Sequence, residues 1–430
     1  MSNLAVAFLV IDTLALLLLP RRWAAVPLLA CACYLPLDVG FELGQFNFYA
    51  LRFLIAVAAV RLLLRGERIE GPVKRLDSLM LLWGASALIS SLLYADATAT
   101  FVNRLGLVYT GLGTYFALRT FCPCNDDVVR LCGATAVLLV PVAAAMLYEG
   151  LAGRNALCEF SGIAIAPELR NGMVRAQGAF AHSILAGSVG AAGLPLMATL
   201  WRSHRGTALV GGIACLTMVF TSGSSGPIVS ASLAVAALLM WSMRRHMRLV
   251  RWSALFGYLA LDAVMQAPAY YLLTRVDLTG SSTSWHRAAL IDSAIEHWSE
   301  WWLAGTAVTR HWMPYGVPWS ASHSDITNQY LRMGVDGGLP LMILFIAVLA
   351  KGFSMVGHAV QEASVLPSRR PFVNWALGAS LFAHAASFFS VSYFDQSIVF
   401  FYLTLAAIGS GSIAIVASPV KRASASSYAT

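Results

Sequence analysis

The chain has 430 residues, 58% of them hydrophobic and only 12% charged, with a formal net charge of +8. So few charges on so long a chain exclude an ordinary soluble globular protein and point to an integral membrane protein. The positive excess lies in short connections between apolar runs, so it follows from membrane orientation and excludes a nucleic-acid partner as its cause.

A spanning helix needs about 20 apolar residues. In chain order the candidate spans are 3 to 19, 24 to 37, 46 to 64, 77 to 94, 101 to 120, 128 to 148, 183 to 201, 207 to 222, 227 to 243, 252 to 272, 339 to 357, 372 to 392 and 397 to 417. The first two are short, so the expected fold is an all-α polytopic membrane protein with twelve or thirteen transmembrane helices. No positive segment precedes the first run, which is therefore expected to stay in the mature chain. Residues 1–148 read as an N-terminal transmembrane scaffold and 149–272 as a central transmembrane part with an outward segment at 149–182. Residues 273–338 form a long outward loop, and 339–430 give C-terminal transmembrane helices and a tail.

Lys and Arg in the connections set the orientation. One set of loops holds Arg21 and Arg22, the run Arg61 to Arg75, Arg119, Arg130, Arg202, Arg205, the cluster Arg244 to Arg251, Lys351, Arg369, Arg370, Lys421 and Arg422. This set is expected in the cytoplasm with the C-terminus, and the Arg244 to Arg251 cluster reads as an anchor to anionic lipid. The seven cysteines are scattered, and Cys31, Cys33, Cys132 and Cys215 fall inside spans, which argues against a disulfide framework. Asp12 and Arg52 interrupt spans and are functional candidates because burial of charge is costly; snorkelling explains Arg52 as well.

The outward segment ends Arg170-Asn171-Gly172-Met173-Val174-Arg175-Ala176-Gln177-Gly178-Ala179-Phe180-Ala181-His182-Ser183. Arg175, followed by small residues and a helix start, offers a cation and free N–H groups to an anion. A lipid headgroup would satisfy the same arginine. The Ser222-Gly223-Ser224-Ser225-Gly226-Pro227 connection reads simply as a turn.

Six of the twelve tryptophans lie in the long loop, which is therefore expected to rest on the bilayer surface. Residues 285 to 302 project as an amphipathic helix with Ala288, Ile291, Ile295, Trp298 and Trp302 on its apolar stripe. Arg287 falls at the edge of that stripe and needs either an internal acid or a bound anion. Ser322 to Gly334 read as a short helix, with Ser322 and Asp325 in capping-box spacing and Gly334 as the stop. His323 would then sit in the first turn, where the helix N-terminus disfavours a second positive charge. A neutral His323 can accept a proton. No H-E-x-x-H, paired Cys-x-x-Cys or tight acidic cluster appears outside, so no metal or cofactor is expected.

These outward motifs resemble the bacterial O-antigen ligase and polymerase superfamily. His323 with Gly334 and Gly337, in HSDITNQYLRMGVDGGLPL, is similar to its "HN-x-x-L … G-x-x-G" signature. RAQGAFAHS resembles its "R-x-x-G-x-F" motif, and Arg287 in WHRAALIDSAIEHWSEWWLAG resembles the arginine opening the helix before its "G-x-G" turn. Three positions depart from the pattern. Ser324 replaces an asparagine, Ser224-Ser225-Gly226 replaces Ser-Arg-Gly, and Leu303 to Ala307 keep one glycine of two. The resemblance implies a GT-C-like glycosyltransferase of the bacterial inner membrane with a periplasmic active site. It would move an undecaprenyl-diphosphate-linked O-antigen onto a sugar hydroxyl of lipid A-core, metal-independently, without cofactors and with inversion. It implies His323 as catalytic base and Arg287 and Arg175 as holders of the donor diphosphate, with Tyr330, His182, Arg170 and Arg154 in support. A polymerase or an O-linked protein oligosaccharyltransferase would share the donor. A transporter of anions or lipids is the remaining alternative, though neither internal repeats nor paired interrupted spans are visible.

Overall fold

The computed structural model describes residues 1–43, 46–94, 96–275, 284–318, 320–363 and 371–410. The first half comprises α1 (Asn3–Leu18), α2 (Ala25–Tyr34), a hairpin of β1 (Gly40–Leu43) and β2 (Phe46–Tyr49), α3 (Ala50–Arg65), α4 (Arg75–Ser91), α5 (Ala97–Phe121) and α6 (Asn125–Ala152). Then come α7 (Ala156–Ser161), a second hairpin of β3 (Glu168–Arg170) and β4 (Met173–Arg175), α8 (Ser183–Ala198), α9 (Arg205–Thr221), α10 (Ser225–Leu239) and α11 (Met247–Val264). The last part holds α12 (Ser284–Glu296), α13 (Trp298–Trp301), α14 (Gln329–Ala363), α15 (Pro371–Ser387) and α16 (Ile398–Ser410).

Each candidate span overlaps one of these helices. Among the described residues three helical runs are long and apolar enough to cross a membrane, Asn125–Ala152, Ser225–Val264 and Gln329–Glu362, consistent with a multi-pass helical membrane protein. Helix α8 lies at the centre, packed on α9, α10 and α15. Its Ser, Ala and Gly residues let neighbouring backbones come close, which is how helices gain dispersion energy where lipid is as apolar as the core. Around it α6 packs on α9, α14 on α4 and α15, and α16 on α5. The outward loop has a small core of its own, where Leu290, Ala294, Trp301, Trp312 and Ile326 meet Val335 of α14.

Several expectations are corrected. The connection expected at the Arg244 to Arg251 cluster is helical instead of a loop: a 3-10 stretch, Met240–His246, joins α10 to α11. The span expected at 252 to 272 ends at Val264, and no residue of α11 is buried. Arg61 and Arg119, expected in cytoplasmic loops, are buried. Arg61 pairs with Glu67 at 2.8 Å, and Arg119 lies 3.8 Å from Asp77. The 285 to 302 helix breaks at His297, and its buried face carries Arg287, Leu290, Ala294 and Trp301 while Ile295, Trp298 and Trp302 are exposed. Arg287 therefore lies within the inward face instead of at its edge.

The short helix expected at 322 to 334 starts later. Asn328 is the cap, its Oδ1 accepting the N–H groups of Tyr330 at 2.9 Å and Leu331 at 3.2 Å. Residues 323 to 328 carry no helix, because the Ser322 carbonyl is drawn off by the N–H groups of Thr309 and Arg310 at 2.9 and 3.1 Å. Gly334 does not stop the helix; a Cβ there would meet the Trp301 ring at 2.7 Å, so its smallness seats that ring. The break comes at Gly337 and Gly338, the latter at φ +74°, and it is tied to the α13 turn by Leu339 N–H donating to Trp302 O at 2.8 Å. The expected positions of Trp319, Arg369, Arg370, Lys421, Arg422 and the end of the last span lie outside the described residues.

Candidate functional site

Asn171 and Gly172, at φ 50° and 76°, make the tight two-residue turn that such a pair favours. The resulting register sets Glu168 opposite Arg175. Arg175 is buried and bonds Glu168 through Nη1 and the Ser224 hydroxyl through Nη2 at 2.5 Å. Its buried Nε has no partner. Burial, with the nearby Arg170 charge, lowers the Arg175 pKa from its ordinary value, while Glu168 opposes that shift. His182 caps α8, its Nδ1 accepting the Ile184 N–H at 3.1 Å, and its Nε2 lies 3.5 Å from Glu168.

Arg287 reaches the same place from α12. A Cβ on Gly226 would stand 3.9 Å from its Nη2, so the cap and first turn of α10, Ser224 to Gly226, underlie both arginines; the turn expected through Pro227 ends at Ser224. Arg287 is 9% exposed, and among the described residues no carboxylate lies within ion-pair distance of it. Burial and the neighbouring Arg170 both lower its pKa. Three guanidinium groups thus gather around the Glu168 carboxylate, with the Asp325 charge also felt at His182, and the surplus of positive charge suits an anion.

His323 occupies a different hollow. It lines a cavity of 520 Å³ with Arg52, Arg104, Arg332, Asp336 and Gln329, and neither Arg175 nor Arg287 lines it. Its Nδ1 lies 2.7 Å from the Ser320 hydroxyl, and its carbonyl accepts the Val317 N–H at 3.2 Å. In the tautomer whose Nδ1–H donates to the Ser320 hydroxyl, Nε2 carries the lone pair that can meet a reactant. Burial lowers the His323 pKa, as do Arg332 and Arg104 against the opposing Asp336. The imidazole is therefore neutral near pH 7, for a different reason from the helix start expected from sequence. One carboxylate, Asp336, serves both Arg104 at 2.8 Å and Arg332 at 3.0 Å, and Asp395 lines the same cavity.

The extended segment 323 to 328 lies between the two groups. On its guanidinium side His286 Nε2 lies 3.0 Å from the Asp325 carbonyl, and the Asp325 charge acts on His182. The structure thus brings Arg175, Arg287, Arg170 and His182 together and places His323 in the adjoining cavity. Tyr330 does not reach either group; its hydroxyl donates to Ala385 O at 2.9 Å among Phe345, Phe388 and Phe389. Arg154 is exposed and paired with Glu159 at 2.9 Å.

Sequence reading did not find Glu168 or Asp395, and it gave the Ser222 to Pro227 connection no role beyond a turn. Asn171-Gly172 between short β-type runs was the available signal for Glu168. Asp395 accepts the Ala181 N–H at 2.8 Å and the Ser397 N–H at 2.8 Å, fastening the Arg175 to Ser183 segment to the start of α16. Nothing local marks that pairing in the sequence. Compared with known proteins, the chain matches no family model, no curated protein and no solved structure.

Proposed function

We propose that the chain is a membrane glycosyltransferase of the O-antigen ligase type, a GT-C-like bundle of twelve or thirteen spans in the bacterial inner membrane. It takes a glycan from undecaprenyl diphosphate and joins it to a sugar hydroxyl of lipid A-core at the periplasmic face, with inversion and without a metal in the chemistry. The observation that carries this reading is the buried, acid-free Arg287 beside Arg170 and Arg175, one chain segment from a neutral histidine lining a cavity.

In this reading the acceptor hydroxyl oxygen attacks the anomeric carbon as the bond from that carbon to the diphosphate oxygen breaks. The hydroxyl proton passes to the open nitrogen of His323, a general-base contribution worth about 10²–10⁴-fold. The diphosphate leaves with added negative charge, held by Arg287 and Arg175 through bonds worth about 1.5–3 kcal/mol each. The donor's first sugar must then reach from the guanidinium group past Asp325 into the His323 cavity.

A second reading, a carrier of anionic lipid, is favoured by the absence of both arginines from the lining of the His323 cavity. Purified protein in liposomes, given the carrier-linked glycan and lipid A-core, separates the two. The proposal expects glycan on the core, and Arg287→Ala should weaken donor binding at least about tenfold, the loss of one charged bond. Movement of carrier lipid between leaflets with no new glycosidic bond would favour the carrier instead. Single-repeat extension of the carrier-linked glycan would identify a polymerase.

A further inference from the structure

Beyond the glycan chemistry, the outward loop contains a second group of chemically distinctive side chains. The ligating atoms of His297, Glu300 and His311 all lie within 4.8 Å of one another. His297 has its Nδ1 2.8 Å from the Ser293 carbonyl, which fixes the proton there and leaves the Nε2 lone pair free. Its ring stacks on Trp312 with an interplanar angle of 21°. Glu300 is oriented by the Trp312 indole N–H at 3.1 Å, and His311 Nε2 approaches the Glu300 carboxylate at 2.9 Å.

We propose that His297, Glu300 and His311 form a binding site for a divalent transition ion of the zinc class, stapling the α13 turn to the segment at 310 to 312. Two imidazoles and one carboxylate are a recurrent zinc set that leaves a position for water. Ligand bonds of about 2.0–2.1 Å would draw the three atoms to roughly 3.3 Å apart at a tetrahedral angle. Both elements are already joined by hydrogen bonds, so small side-chain rotations close the site. The segment so fixed is the one whose Thr309 and Arg310 N–H groups hold the Ser322 carbonyl next to His323. This inference does not depend on the transferase reading.

The test uses full-length protein in detergent, stripped of metal and titrated with zinc chloride against a chromophoric chelator. The expected result is one zinc per chain, with a rise in the melting temperature of wild type. Glu300→Gln, which keeps the size of the side chain, and His311→Ala should each lose affinity at least about tenfold and abolish the rise, since even outer partners of metal sites matter by 10–100-fold. His204→Ala, at the other end of the bundle, should bind as wild type. Failure of wild type to hold zinc, unchanged binding by Glu300→Gln, or equal loss in His204→Ala would each overturn the site.

Discussion

His323 and Arg287 show how burial, more than position in a helix, sets chemistry here. His323 needs no helix N-terminus to stay neutral; a half-buried ring beside Arg332 and Arg104 is held below its ordinary pKa. The sign follows directly. A base with a lowered pKa keeps its lone pair on acidification, so transfer should persist below the ordinary histidine value of about 6.5 and fail only at lower pH. A pH–rate profile breaking above that value would contradict the electrostatics. Arg332→Gln removes one like charge and should move the break upward. The residue types were legible in the sequence, because arginine and histidine stood out in an otherwise apolar chain. Their partners were less so: Glu168 meets Arg175 across a short hairpin that only Asn171-Gly172 signals, and Asp395 becomes a neighbour of Ala181 only through tertiary packing.

At the scale of elements, two helical expectations failed for physical reasons. Ser322 and Asp325 satisfy a capping pattern, but Asn328 also caps, and the competition was decided by Thr309 and Arg310 capturing the Ser322 carbonyl from a distant part of the loop. Asn328→Ala should therefore cost about 1 kcal/mol of stability, read as a lowered denaturation midpoint, whereas Asp325→Asn should cost far less. An equal cost would restore the capping box. The α12 face was misjudged because an apolar stripe in a membrane protein does not say which side is inside: lipid accepts Ile295, Trp298 and Trp302 as well as a core does. Gly338, at positive φ and pressed against the Leu303 carbonyl, is the other fixed point of this region. Gly338→Ala should destabilise by about 1–3 kcal/mol, while Gly357→Ala, with open space around it, should not.

For the whole molecule, composition was enough to read a chain of apolar helices consistent with a membrane protein, since each apolar segment overlaps a helix. What composition could not give was the path of the chain between helices, as the 3-10 stretch Met240–His246 joining α10 to α11 shows. The proposed orientation is open to direct measurement. Ala321→Cys, exposed beside His323, should react with a membrane-impermeant maleimide in intact spheroplasts, and Arg202→Cys only after permeabilisation. The reverse pattern would put the site on the cytoplasmic face and end the periplasmic assignment. The central claim, a neutral histidine serving guanidinium-bound donor, is tested most directly by His323→Ala in liposomes supplied with carrier-linked glycan and lipid A-core. The account predicts donor binding equal to wild type and transfer reduced at least about 10²-fold; transfer at the wild-type rate would contradict it.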